Sequence, residues 1–442
     1  MKKSFLYFIF LSFSSIIYAQ NSSLKTKINQ KAESLETKVI SLRRDFHQNP
    51  ELGNREFKTA EKIATYLRSL GIEVQTGVAK TGVVGILKGG KPGPVVALRA
   101  DMDALPVTER VNIPFASKVI GEYNGQSVGV MHACGHDSHM AILLGTAEVL
   151  ASIKNELKGT VKFIFQPAEE GAPEGEEGGA ALMVKEGVLE NPKVDVVFGL
   201  HISAQTEVGK INYRPKGAMA SSDWFTIKIK GKQAHGANPW QGVDPIVTAS
   251  QIILGLQTIV SRNVDLTESA AVVSIGKVTA GIRSNIIPEE LEMAGTIRTL
   301  DSKVQEMVHA KVNQIVTNIA QSAGATAEVN ITKQTLITYN DPVLTDLMLP
   351  TLQATAGKTN VILAPAMTGA EDFSFYQAKV PGLFIFLGGM PKGKIASETA
   401  SHHTPDFYID ESGFVLGIKT MSNLTLDYME MNATKVSFNL NK

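Results

Sequence analysis

Short apolar strands that alternate with helical segments are the feature of this chain that most constrains its fold. Apolar runs occur at Val95–Arg99, Val161–Phe165 and Val194–Leu200, and a helical pattern such as Met140–Ile153 lies between them. Strands separated by helices in this way pair side by side in one sheet, and the helices cover its faces. The alternation therefore predicts an α/β fold with a mostly parallel sheet. Ahead of these strands in the chain, apolar periodicity predicts one helix over residues 23–46 and a second over residues 57–70.

A different pattern interrupts the alternation near residue 215. Its predicted elements, in order, are a strand at Trp224–Lys230, a helix at Asp244–Val260, strands at Ala270–Lys277 and Glu290–Thr299, a helix at Lys303–Ala323 and a strand at Ala325–Ile331. The order βαββαβ is typical of a ferredoxin-like arrangement. Strand and helix alternation then resumes, with an apolar strand at Leu383–Leu387.

We therefore expect one α/β domain, formed by residues 20–215 and 332–442, that is interrupted by an inserted α+β domain at residues 216–331. Two or three consecutive domains are the alternative. Insertion is favoured because the last segment carries reactive side chains that need partners from the first segment.

The start of the chain, residues 1–19, has the pattern of a secretory signal peptide. Lys2 and Lys3 precede the uncharged stretch Ser4–Ala19, which ends on a small residue. That stretch is shorter than the ~20 residues that a membrane-spanning helix needs, which argues against an uncleaved anchor. We expect an exported protein, periplasmic or secreted, that has no membrane attachment after cleavage.

Composition narrows the function classes. The chain has 43 Lys and Arg against 43 Asp and Glu, so its formal net charge is zero. Nucleic-acid binders neutralise phosphates with an excess of positive charge, so this balance argues against that class. One cysteine, Cys134, rules out an intramolecular disulfide. A free thiol in an exported protein is open to oxidation unless something occupies it.

Polar clusters follow the apolar strands, where α/β sheets bind their ligands. The clusters are Arg99–Asp103, Gln166–Gly171, His201, the loop His132–His139 and the C-terminal Ser401–Pro405. Six of the nine histidines fall in these loops, beside the only cysteine. Thiolate, imidazole and carboxylate are together the ligands of zinc-like divalent cations. The clustering therefore predicts a metal site.

Two carboxylate features have specific chemical roles in this prediction. In the adjacent pair Glu169 and Glu170, one side chain can bind a metal while the other acts as a general base. The alternative is an acidic solvated loop, and the nearby Glu174, Glu176 and Glu177 fit that description better. Asp103 can hold a ligand histidine in its metal-binding tautomer.

With these motifs the sequence resembles the metal-dependent aminoacylase/carboxypeptidase family. The resemblance is carried by the run Arg44–Leu52, by the blocks ADMDALP, HACGHD and QPAEEG, and by the final HHTP, and it covers essentially the whole mature chain. The most similar branch is that of the amidohydrolases, which includes hippurate hydrolase, N-acyl-amino-acid amidohydrolase and auxin-conjugate hydrolase.

The resemblance implies a catalytic domain with two divalent metal ions per subunit, zinc or manganese, with cobalt or nickel as alternatives. It implies that the metal ligands are Cys134, His136, Glu170, His201 and His403, with Cys134 bridging. The resemblance also implies that Glu169 is the general base. Asp103 is the catalytic-site residue expected to hold a ligand histidine. Asp101 stands where the wider family has a histidine ligand.

The resemblance also implies that the inserted domain is a satellite through which two subunits form a homodimer. His235 matches a histidine that reaches the partner subunit's active site and stabilises the developing oxyanion there. Asn285 and Arg298 match positions that hold the substrate carboxylate.

The function implied is hydrolysis of the amide bond of N-acyl amino acids, small molecules of the hippurate type. An exported dipeptidase or carboxypeptidase is the nearest alternative. A hydrolase that uses Cys134 as its nucleophile and a non-catalytic metal-binding protein are alternatives from other classes.

Overall fold

The computed structural model of the chain describes residues 23–439, so the signal peptide predicted at 1–19 lies outside the described residues. The helices are α1 (23–34), α2 (Glu36–Gln48), α3 (Phe57–Ser69), α4 (His136–Ser152), α5 (Gly179–Lys185), α6 (Pro245–Arg262), α7 (Ser302–Ser322), α8 (Pro342–Ala356), α9 (Ser374–Gln377) and α10 (Phe414–Asn439). Among the described residues, no helix combines the length and the apolar character needed to cross a bilayer.

Eighteen strands accompany these helices within the described residues. They are β1 (Glu73–Val78), β2 (Gly82–Lys88), β3 (Lys91–Asp101), β4 (Ile120–Tyr123), β5 (Gln126–Gly129), β6 (Lys158–Gln166), β7 (Val196–Glu207), β8 (Ile211–Tyr213), β9 (Lys216–Met219), β10 (Ser222–Lys230), β11 (Ala234–His235), β12 (Ala271–Ala280), β13 (Ile286–Ile287), β14 (Glu290–Thr299), β15 (Thr326–Thr335), β16 (Thr338–Asn340), β17 (Val361–Leu363) and β18 (Gly382–Met390).

The described residues divide into two compact units. The larger unit contains the residues up to Arg214, Asn340–Ala364 and the residues from Tyr376 onwards. The smaller unit contains Pro215–Tyr339 and Pro365–Phe375.

An eight-stranded sheet forms the centre of the larger unit, in the order β1-β2-β6-β3-β7-β18-β8-β17. Strands β6, β3, β7 and β18 are parallel neighbours, as are β8 and β17, whereas the pairs β1/β2, β2/β6 and β18/β8 are antiparallel. All nine residues of β18 are buried, as expected of a strand covered on both faces. The predicted α/β fold with a mostly parallel sheet is confirmed.

Several helix boundaries in this unit differ from the sequence prediction. The helix predicted over residues 23–46 is two helices, because Leu35 breaks the hydrogen-bonded pattern between α1 and α2. Helix α4 begins at His136 rather than near Met140, directly after Gly135. Its first turn is polar, so the apolar pattern from which the prediction was made could not show it.

The smaller unit has the predicted βαββαβ order, formed by β10, α6, β12, β14, α7 and β15. The four strands form an antiparallel sheet in the order β12-β14-β10-β15, which confirms the ferredoxin-like arrangement. The side chains of Asp244 and Asp301 accept backbone N–H bonds at the starts of α6 and α7, caps that typically contribute about 1 kcal/mol each. Strand β15 continues to Thr335, so this unit extends beyond residue 331.

Candidate metal centre and active site

The sheet of the larger unit places three polar segments at one edge. Strand β3 lies between β6 and β7 and is parallel to both, so the residues that follow β3 and β6 emerge on the same side. Asp103 follows β3, Glu169 and Glu170 follow β6, and His201 lies in β7. Parallel strands present their carboxyl ends together, which is why distant sequence segments converge here.

The loop that carries Cys134 and His136 depends on the glycine between them. Gly135 has φ +98°, and a Cβ at this position would lie 2.2 Å from Cγ2 of Ile202. A left-handed backbone with no room for a side chain requires glycine. The resulting turn starts α4 and directs the flanking Cys134 and His136 to the same place.

Two sets of possible ligand atoms share the sulfur of Cys134. One set is Cys134, His136 and His201, the other is Cys134, Glu170 and His403, and within each set the atoms lie within 4.8 Å of one another. The Sγ atom is 3.3 Å from Nε2 of His201 and 3.3 Å from Nε2 of His403. The five ligands that the resemblance implies are therefore brought together around one thiol.

The histidine hydrogen bonds fit a metal site. Nδ1 of His136 lies 2.8 Å from the backbone oxygen of Asp103, and Nδ1 of His201 lies 2.6 Å from the backbone oxygen of Ile202. Each Nδ1 therefore carries a proton, and each Nε2 is the ring atom left to bind a metal. Nε2 of His136 is buried and has no hydrogen-bond partner among the described residues, so a cation fits this donor set.

Of the two adjacent histidines near the C-terminus, His403 is the one whose ring nitrogen contacts both Cys134 and Glu170. Its Nε2 lies 3.0 Å from Oε1 of Glu170. Both ring nitrogens of His402 contact the backbone, since Nε2 accepts the Ala204 N–H at 3.1 Å and Nδ1 lies 3.1 Å from the Cys134 oxygen. The same Nδ1 is 3.8 Å from the Cys134 sulfur, farther than Nε2 of His403 at 3.3 Å. His403 has φ +64°, a conformation that is unfavourable for a side chain and is found at functional sites.

Electrostatics in the cluster favour positive charge. Burial alone would lower the pKa of His136, but the carboxylates of Asp101 and Asp103 outweigh it and raise that pKa to about 10. Burial raises the pKa of the Cys134 thiol well above its usual value, and the carboxylates of Glu170 and Glu169 add to the effect. A thiolate in this position needs a neighbouring cation.

Asp103 fixes the backbone of the adjacent pair Glu169 and Glu170. Its carboxylate accepts the backbone N–H groups of Glu169 and Glu170, each at 3.0 Å. The side chain of Asp103 is also 3.3 Å from Nδ1 of His136, so one residue contacts three members of the site. This is the kind of contact that the sequence prediction assigned to Asp103.

Asp101, by contrast, is held by other groups. One oxygen accepts from Arg99 at 2.7 Å and the other lies 2.6 Å from Nδ1 of His139. Nε2 of His139 in turn accepts the backbone N–H of Ile202 at 2.8 Å. Asp101 therefore links β3, α4 and β7 beside the cluster.

Sequence reasoning missed a residue that shapes the turn before Glu169. Glu56 is buried and accepts the backbone N–H of Ala168 at 2.9 Å and the hydroxyl of Thr81 at 2.6 Å. Ala168 has φ +49°, so its backbone needs such support. Burial and the charge of Asp103 raise the pKa of Glu56 to about 7. The isolated position of Glu56 in the sequence gave no signal.

A second buried network lies behind the loop of Cys134. Asp137 contacts Nε of Arg43 at 2.9 Å and Nδ1 of His47 at 2.7 Å, and all three side chains are buried. The Nε2 atom of His47 is 3.2 Å from Glu109. Arg43 and His47 are four residues apart on α2, a spacing that places them on one helix face and was a signal available in the sequence.

The remaining predicted residues lie in the smaller unit. His235 is exposed in β11 and Asn285 is exposed just before β13, and these short strands pair, with the Gly236 N–H bonded to the Asn285 oxygen at 2.8 Å. Arg298 is half-buried in β14, opposite Val272 of β12. The strand pairing brings His235 and Asn285 side by side within this unit.

Comparisons with known proteins point in one direction. A family model for peptidase family M20/M25/M40 matches residues 97–427, a range that includes every residue of the cluster around Cys134. Thermostable carboxypeptidase 2 of Saccharolobus solfataricus is 40% identical over 409 residues, which covers 92% of this chain and 99% of that protein. N-acetylcysteine deacetylase of Bacillus subtilis is 39% identical over 399 residues, which covers 90% of this chain and 98% of that protein.

A solved structure extends the similarity to three dimensions. The Bacillus subtilis YXEP protein, described as a dinuclear metal binding peptidase from the M20 family, matches with a TM-score of 0.76 and 37% identity. The match covers 90% of this chain and 99% of that one. Similarity at this level in both sequence and structure spans the two units.

Proposed function

This chain belongs to peptidase family M20/M25/M40 and is a metal-dependent hydrolase of amide bonds, and from this premise we propose that it cleaves N-acyl amino acids. The products are a carboxylic acid and a free amino acid. The name of the related N-acetylcysteine deacetylase supports this substrate class, since N-acetylcysteine is an N-acyl amino acid.

One observation carries the proposal, namely the two sets of ligand atoms that share the sulfur of Cys134. We propose that Cys134, His136, Glu170, His201 and His403 hold two divalent cations, zinc or manganese, with cobalt or nickel as alternatives. Thiolate and imidazole together suit zinc. When bound, such cations polarise an amide carbonyl and lower the pKa of a water molecule.

Glu169 moves the proton in this proposal. Its Oε2 lies 3.9 Å from Nε2 of His136, and its backbone is fixed by Asp103. The carboxylate takes a proton from the attacking water and passes it to the leaving amine, the usual role of a positioned general base. Burial lowers the pKa of His201 well below its usual value, which keeps this ring neutral and able to act as a ligand.

Three residues of the smaller unit are proposed to bind the substrate. Arg298 and Asn285 hold the carboxylate of the amino acid, for which a guanidinium offers two parallel hydrogen bonds. His235, acting in a partner subunit, stabilises the negative charge that develops on the amide oxygen. The exposed position of His235 supports a role outside its own unit.

A homodimer formed through the smaller unit is part of the proposal. Helix α6 exposes Val247 and Leu254, with 55% and 71% of their surface accessible. Strand β12 is at the edge of its sheet and offers unpaired backbone groups. Sedimentation should give a dimer, and Leu254→Asp should shift it towards the monomer. A monomeric wild-type protein contradicts this part.

Export is also proposed, on the charge and apolar pattern of residues 1–19. Expression of the full chain should yield a mature protein that begins near residue 20, outside the cytoplasm. An intact N-terminus on a cytoplasmic protein contradicts it.

The experiment that tests the function is metal analysis of the purified mature protein, followed by a screen of N-acyl amino acids and dipeptides. We expect bound divalent metal, chelator-sensitive activity and preference for N-acylated substrates. Preference for dipeptides with a free amino terminus would instead indicate the dipeptidase or carboxypeptidase alternative. The name of the related thermostable carboxypeptidase 2 is the reason to include dipeptides in the screen. Metal without turnover indicates a non-catalytic protein.

A further inference from the structure

A cavity of about 390 Å³ lies beside Glu170 in the larger unit. Asp103 and Glu170 form one side of it, so the cavity begins at the proposed metal centre. Its volume is within the range of small-molecule binding sites. Whatever part of a substrate lies next to the scissile amide on this side occupies this space.

One part of the cavity wall is apolar, although charged and polar residues line the rest. Leu52, Leu105, Pro106 and Pro173 line it, and each of them is only partly buried. Apolar side chains that line a cavity without being packed gain free energy when a ligand covers them. The walls therefore favour an apolar occupant.

The β4–β5 hairpin forms the remaining wall. Glu122, Tyr123 and Asn124 at its tip line the cavity, and Tyr123 has 43% of its surface exposed. Asn124 and Gly125 have φ angles of +51° and +73°, which suit the tight turn that joins two short strands. No apolar alternation in the sequence marks this hairpin.

The hairpin is anchored to the opposite wall. The chain that leaves β5 exchanges two backbone hydrogen bonds, each 3.0 Å long, between Met131 and Leu105. A Cβ on Gly121 would lie 3.5 Å from Cδ1 of Leu52, so β4 packs closely on that side chain. The backbone of the hairpin that carries Tyr123 is thereby fixed to residues that line the cavity.

The charges that face the cavity are not balanced. Arg55 also lines it, but its guanidinium is paired with Glu176 at 2.6 Å. Glu122 lines the cavity too and has no hydrogen-bond or ion-pair partner among the described residues, whereas Asp103 accepts two backbone N–H groups and Glu170 is a proposed metal ligand. An occupant with a negative charge is repelled by this arrangement.

We propose that this cavity binds the acyl group of the substrate, that Tyr123 selects an uncharged aryl-acyl group by ring contact, and that Glu122 excludes acyl groups that carry a carboxylate. This inference rests on the proposed function, because it assigns a place to one half of an N-acyl amino acid. Aromatic ring pairs add to the gain from burial alone, which favours an aryl group over an alkyl group of equal area.

The test measures binding by calorimetry to the metal-loaded Glu169→Gln protein, so that substrates bind without turnover. The probes are N-benzoylglycine, N-acetylglycine, N-succinylglycine and the dipeptide Phe-Gly. Tyr123→Ala, introduced into the Glu169→Gln protein, should weaken the binding of N-benzoylglycine about tenfold. It should weaken the binding of N-acetylglycine less than twofold. Tyr123→Phe should retain the affinity for N-benzoylglycine, and Glu122→Gln should strengthen N-succinylglycine binding severalfold.

The matched control is Ile120→Ala, which removes an exposed apolar side chain of the same hairpin that does not line the cavity. Equal losses from Tyr123→Ala and Ile120→Ala overturn the proposal, as do equal losses for the benzoyl and acetyl probes. Tighter binding of Phe-Gly than of N-benzoylglycine, abolished by Glu122→Gln, also overturns it, because Glu122 would then bind an ammonium group. The predicted binding pattern without cleavage by the wild-type protein contradicts the proposed function alone.

Discussion

The carboxylate of Asp103 accepts the backbone N–H of Glu170 at 3.0 Å, so the segment that follows β3 fixes the segment that follows β6. Its other oxygen accepts the N–H of Glu169 at the same distance. The proposed metal ligand and the proposed base are thus oriented by one residue that belongs to neither role.

Replacing Asp103 tests this orientation. Asp103→Ala removes both acceptors and should lower kcat/KM by roughly 10- to 100-fold, as is usual for residues that position metal ligands. Asp103→Asn keeps one acceptor oxygen, so its kcat/KM should lie between the values of Asp103→Ala and the wild type. Steady-state kinetics and metal affinity are measured together, and unchanged values for both in Asp103→Ala exclude the positioning role.

Glu169 and Glu170 should respond differently to the same substitution. Glu169→Gln removes the base and should lower kcat by roughly 10²- to 10⁴-fold while metal content stays at the wild-type level. Glu170→Gln should lose metal, because an amide is a weaker ligand than a carboxylate. Elemental analysis beside kinetics checks both, and activity retained in Glu169→Gln removes it from this role.

The adjacent histidines His402 and His403 provide a paired test of the ligand set. His403→Ala should lose metal, since its Nε2 is 3.3 Å from the sulfur of Cys134. His402→Ala should keep metal, since both nitrogens of His402 serve backbone groups. Cys134→Ala should lower metal content most, because its sulfur belongs to both sets of ligand atoms. Full occupancy in Cys134→Ala rules out the thiol as a ligand.

Glu148 should contribute to stability in a pH-dependent way. Its carboxylate contacts Nζ of Lys31 at 2.9 Å, Nζ of Lys38 at 2.6 Å and the hydroxyl of Tyr66 at 2.6 Å. Burial alone would raise the pKa of Glu148, but bonds from Lys38, Tyr66 and Lys31 lower it from 4.5 to about 2. The contribution is therefore complete above about pH 4.5 and is lost as the pH falls towards 2.

We expect Glu148→Gln to lower the free energy of unfolding at pH 7 by about 1 kcal/mol, since solvent screens this partly exposed network. The difference from wild type should shrink between pH 4.5 and pH 3. Glu156→Gln is the control, because Glu156 pairs only with the exposed Lys27 at 3.1 Å and should matter little. Urea unfolding at several pH values measures both variants, and a difference that grows on acidification contradicts the argument.

The sequence predicted the fold well where its signal was periodic. Apolar runs identified β3, β6, β7 and β18 of the central sheet, and the βαββαβ order identified the smaller unit. Features without such a period were missed. The strands β4 and β5 have only four residues each, and five of these eight residues are exposed, so no apolar alternation marks them.

The reactive residue types and their positions after strands were determined by the sequence, because thiolate, imidazole and carboxylate chemistry is carried by the side chains themselves. The tertiary structure decided which of them meet. The side chains of His402 and His403 are chemically identical, and the resemblance alone selects His403 from the sequence. The fold supplies the physical difference, because it gives His402 two backbone partners and places Nε2 of His403 3.3 Å from the sulfur of Cys134. Hydrogen bonds between segments that lie hundreds of residues apart set that difference, and no local pattern records them.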